Sequence, residues 1–79
     1  MKTEYQYINF KEVPNIKGTT SVWHVRSNSS GAVLSQIKWY GPWRQYCLYT
    51  FPNSIFNKGC LEDINDFITQ LMDLRKNKI

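Results

Sequence analysis

Seventy-nine residues make one domain, near the lower size at which a single small core holds a fold, and an aromatic share of 15% lets few residues build that core. No apolar run reaches the ~18 residues of a bilayer span. The N-terminal MKTEYQYINF lacks the continuous apolar stretch of a secretory signal, so a cytoplasmic chain without membrane contact is expected.

In chain order, residues 5–13 read as a first strand, stopped by Pro14. Residues 19–26 form a second strand, and Ser27-Asn28-Ser29-Ser30-Gly31 is loop chemistry. Residues 32–40 and 43–51 are two further strands joined at Gly41-Pro42, which reads as a two-residue hairpin loop. On that register Tyr40 lies opposite Trp43, Trp39 opposite Arg44, and Ile37 opposite Tyr46. Side-chain alternation then puts Trp39 and Ile37 on the core face, and Gln36, Lys38, Tyr40, Trp43 and Gln45 on the other.

Residues 60–75 complete the chain as an amphipathic helix. Cys60, Leu61, Ile64, Phe67, Ile68, Leu71, Met72 and Leu74 fall within an arc of roughly 160° at helical period. Gly59, with Glu62 three residues on, serves as its N-terminal signal. The expected architecture is an α+β fold, β(β)ββα: a small antiparallel sheet of three or four strands with one helix across one face. It forms a single domain over residues 1–79.

Charge is unevenly spread within a net +4. No acidic residue occurs from Val13 through Leu61, a span that carries Lys17, Arg26, Lys38, Arg44 and Lys58. Acids gather at Glu62, Asp63, Asp66 and Asp73, ahead of the basic Arg75, Lys76 and Lys78. A basic middle favours acidic partners.

Catalytic constellations are missing. No serine or cysteine has a nearby base, no carboxylates pair in the sheet region, and no glycine-rich loop would cradle phosphate. His24, between Trp23 and Val25, reads as a structural histidine. Cys47 and Cys60 read as reduced structural thiols, because one histidine and two distant cysteines complete no zinc set. No enzyme, metal or cofactor is expected.

A single helix covers one face of a sheet, so some aromatics remain outside. The expected function is a non-catalytic binding module that uses this basic, aromatic face. Arg26, Lys38 and Arg44 would contact nucleic-acid phosphates, Tyr40, Trp43 and Tyr46 would stack, and Gln45 joins the same surface. The alternative is an inhibitor or adaptor that docks the same face on a host protein, such as a defence or nucleic-acid-handling enzyme, with Trp and Arg anchors. Either suits a monomer or a homodimer.

The segments WHVRS, GAVLSQIKWY, WRQYCLY and NKGCLEDINDFI, from Trp23 to Leu71, resemble a family of short hypothetical proteins of bacteriophages and bacterial mobile elements. Ser35 stands where such proteins typically carry a glycine. The resemblance implies a phage or mobile-element origin and action in the host bacterial cytoplasm, and it implies no activity. In topology alone, strands followed by a helix are similar to the plant ethylene-response-factor domain and to the arm-binding domain of transposon integrases, which lay a sheet in the DNA major groove.

Overall fold

The computed structural model describes residues 1–16 and 18–76. Lys17 and Lys78, counted above among the basic residues, lie outside the described residues. Strands β1 (Ile8–Val13), β2 (Val22–Ser27), β3 (Val33–Tyr40) and β4 (Gln45–Thr50) form one antiparallel sheet in the order β1-β2-β3-β4, followed by helix α1 (Lys58–Lys76). The fold is the expected α+β arrangement of four strands and one C-terminal helix.

Alternation along the strands selects the buried set. Ile8 and Phe10 of β1, Val25 of β2, Ile37 of β3 and Tyr46 of β4 point to one side. There they meet Cys60, Ile64, Phe67 and Leu71 of α1, which recur at helical spacing. Ring contacts tie the layers together. Phe67 stacks parallel on Phe10 and receives the edge of Trp23 at 5.0 Å. A register shift between Val25 and Arg26 marks a bulge, where Leu34 packs on the core beside the buried Ser35.

Several details differ from expectation. The helix begins two residues earlier than Gly59 suggests, because Asn57 is the cap: its Oδ1 accepts the Cys60 backbone N–H at 2.8 Å. Leu61 and Leu74, placed by periodicity in the apolar arc, lie at its margins and are about half exposed at 52% and 48%. The first strand starts at Ile8 rather than Tyr5, since the preceding residues double back on it. The Phe10 N–H donates to the Thr3 carbonyl at 2.9 Å and the Tyr5 N–H to the Ile8 carbonyl at 3.0 Å. This segment covers the outer edge of β1.

The hairpin loop also differs. Gly41–Trp43 is a 3-10 turn with Pro42 in its first turn, and Arg44 follows in the left-handed region (φ 53°) with its N–H on the Gly41 carbonyl. The loop therefore holds residues 41–44, and Tyr40 pairs with Gln45, Trp39 with Tyr46 and Ile37 with Leu48. Each predicted partner moves by two residues. An even shift preserves alternation, so the faces assigned to β3 are retained.

Candidate functional site

The sheet face opposite α1 is uncovered. Its rows follow from the register: Lys11, His24, Gln36 and Tyr49 cross the sheet in one row, and Val13, Val22, Lys38 and Cys47 in the next. Asn9 and Arg26 flank these at one end, Tyr40 and Gln45 at the other. None of these residues is acidic. Glu4 precedes β1, Glu12 pairs with Trp23 on the helix side, and the remaining acids, Glu62, Asp63, Asp66 and Asp73, belong to α1. Among the strand residues this face thus carries cations without a carboxylate, Glu4 standing at its outer edge opposite Asn9, and among the described residues the ion pair is Lys58–Glu62 on the helix.

One corner of this face concentrates the rings. Lys38 Nζ sits 4.4 Å from the centre of the Tyr49 ring. Tyr40 meets Tyr49 at 6.5 Å and Trp43 at 5.0 Å, both edge to face. The 3-10 turn lifts Trp43 beyond the strand end, where it is 66% exposed. Desolvation by its neighbours, and then Cys47 and Tyr40, raise the Tyr49 pKa above the ordinary phenol value. A cation above one ring, beside two more rings of which Trp43 is freely accessible, is a surface for flat π systems and for anions.

The structure brings together Lys38, Tyr40, Trp43 and Gln45 from the expected set. Arg26 shares their face but stands at the far end of β3, on the order of 20 Å away at ~3.3 Å per residue. Its guanidinium tucks toward Gly31, with Nε buried and without a hydrogen-bond partner. Arg44 departs from Trp43: it lies on the helix side of the hairpin, lining a cavity of about 280 Å³ with Trp39, Met72, Asp73, Arg75 and Lys76.

Tyr46 is a correction. As the partner of Trp39 it points to the helix side and is 6% exposed, so it stacks on no ligand. Its ring meets the edge of Trp39 at 5.4 Å, and its hydroxyl accepts the Ser21 N–H at 3.2 Å. Tyr49, Lys11 and His24, the last read from sequence as structural, also occupy the open face, outside the expected binding set. For Tyr49 the signal lay in the alternation that links it to Gln45 and Cys47. The thiols lie on opposite sides of the sheet, Cys47 on the open face and Cys60 in the core.

Over 71 residues the chain is 34% identical to the "Uncharacterized 9.3 kDa protein" of Acholeplasma phage L2, a match spanning 90% of this chain and 91% of that protein. The chain belongs to this phage protein family. No family model and no solved structure matches the chain. Among the described residues no helix is long and apolar enough to cross a membrane.

Proposed function

We propose that this phage protein is a small non-catalytic module that binds nucleic acid on its open sheet face, in the cytoplasm of the host bacterium. The observation that carries the reading is the separation of charge. Lys11 and Lys38 project from this face and Arg26 lies along it, while Glu12 and the acids of α1 stand on the helix side and Glu4 stands at the outer edge before β1. A polyanion approaching this face over β2, β3 and β4, away from Glu4 at the β1 edge, meets no like charge, and the Tyr40–Trp43–Tyr49 corner offers rings to bases.

The test is a titration of fluorescently labelled oligonucleotides with the protein, read by anisotropy, over a salt series. About three phosphate contacts give a logarithmic salt slope near −2 on a single strand and near −3 on duplex. Lys38→Gln should lower the slope, and Trp43→Ala should weaken binding by ~1–3 kcal/mol with the slope unchanged. The exposure of Trp43 also suits an anchor for a host protein. Failure to bind any oligonucleotide at low salt, with one host protein retained through Trp43, would replace the first reading with that one.

A further inference from the structure

We infer that the notch between the β3–β4 hairpin and the end of α1 is a phosphodiester site, and that the nucleic acid it takes is single-stranded. The inference rests on the reading above and names the strand's path and class. Arg75 lies with its guanidinium carbon 4.0 Å from the centre of the Trp39 ring. A guanidinium stacked on an indole directs its N–H groups outward in its own plane, where they remain free to grip a phosphate by two oxygens. Arg44 enters the same cavity from the hairpin and Lys76 from the helix, and Asp73 is the carboxylate that lines it. Neither arginine forms an ion pair with a carboxylate of the described residues.

The helix dipole accounts for cations at positions 75 and 76. It does not account for Arg44, which comes from another element and occupies a left-handed backbone position where glycine or asparagine fits more easily. Trp43 and Arg44 are consecutive, yet Trp43 joins Tyr40 on the open face and Arg44 joins Trp39 on the helix side. A strand with one base on Trp43 therefore carries its next phosphate around the hairpin tip into the notch. A single strand bends this sharply, whereas a duplex, stiff over ~150 base pairs, does not.

The test uses the full chain with a ten-nucleotide thymidine strand, a ten-nucleotide uridine strand and a duplex of equal length, each over a salt series. Both single strands should bind at least tenfold tighter than the duplex. Arg44→Gln and Arg75→Gln should each reduce the single-strand slope by about 0.7. Arg75→Lys should keep the slope and lose affinity, as expected if the planar fork matters as well as the charge. Melting curves confirm folding, and Arg44→Gly, compatible with φ 53°, supplies a variant that lacks the charge without backbone strain. Wild-type binding that weakens with Lys38→Gln but is untouched in slope and affinity by Arg44→Gly and Arg75→Gln overturns the notch and leaves the open-face reading intact. Equal or tighter duplex binding overturns the single-strand class. Binding of none of the three overturns the open-face reading, and this inference with it.

Discussion

The rings of Phe10 and Phe67 lie parallel, 2° apart in plane with centroids 4.1 Å apart, and so join the first strand to the only α-helix of the described residues. Phe67 is fully buried and also receives the edge of Trp23. Phe67→Ala removes both ring contacts and leaves a cavity, at a cost of ~3–5 kcal/mol. A domain of this size holds roughly 4–12 kcal/mol at ~0.05–0.15 kcal/mol per residue, so the variant should be largely or wholly unfolded. Leu61→Ala, at a half-exposed position, should stay within ~0.5 kcal/mol of the parent. Urea denaturation of the two variants side by side checks both.

Ser35 is fully buried between Val25 and Thr50, and its hydroxyl has no hydrogen-bond partner. Burying a hydroxyl without a partner costs ~1–3 kcal/mol, and alanine removes it while leaving the volume almost unchanged. Ser35→Ala should therefore raise the denaturation midpoint, by about 1 kcal/mol of stability. A lower midpoint would show that the hydroxyl finds a partner in solution.

Arg44 sets stability against binding. A non-glycine residue in the left-handed region carries a strain of ~1–2 kcal/mol, partly offset by the greater freedom of glycine in the unfolded chain. Arg44→Gly should melt at or above the parent temperature while its oligonucleotide affinity falls. Calorimetry and the titration, run on one preparation, read the two effects together.

Tyr5 makes a pH-dependent contribution. Its hydroxyl donates to Asp66 Oδ2 at 2.6 Å and accepts from Gln70 Nε2 at 3.0 Å. Desolvation, followed by the hydrogen bond to Asp66 and repulsion from that carboxylate, raises its pKa well above the ordinary phenol value of ~10. The folded state thus favours the neutral phenol. That stability is complete below pH ~10 and is lost as pH rises from there toward the raised folded value. Melting temperature should decline above pH ~10, and less steeply in Tyr5→Phe than in the parent.

Periodicity made the helix legible, and its buried residues Cys60, Ile64, Phe67 and Leu71 lie in the arc read from spacing alone. Its flanks were not legible, because whether Leu61 and Leu74 are covered depends on the width of the sheet beneath. The open face was legible from alternation, which survives any even error in register. Loop length was not: Gly-Pro fits a two-residue turn as readily as the start of a 3-10 turn, and only the pairing of Tyr40 with Gln45 decides between them. Tyr46 was given to the surface for its neighbours in sequence, although its parity with Trp39 and Ile37 placed it inside. The notch was invisible in sequence because Arg44 and Arg75 stand on separate elements, and nothing in their spacing announces that Trp39 lies between them.

The uneven placement of charge has a consequence that acts before any contact. With Lys11, Arg26 and Lys38 on the open side of the sheet, and most carboxylates on the helix side where they roughly offset Arg44, Lys58, Arg75 and Lys76, the molecule carries an electric moment across its short axis. In the field of a polyanion this moment exerts a torque that turns the cationic side forward during diffusion. A larger share of collisions then begins in a usable orientation, and the gain appears in the association rate rather than in the lifetime of the bound state. Its reach is set by the ionic atmosphere, about 10 Å at 0.1 M salt, close to the distance over which so small a protein must complete its turn.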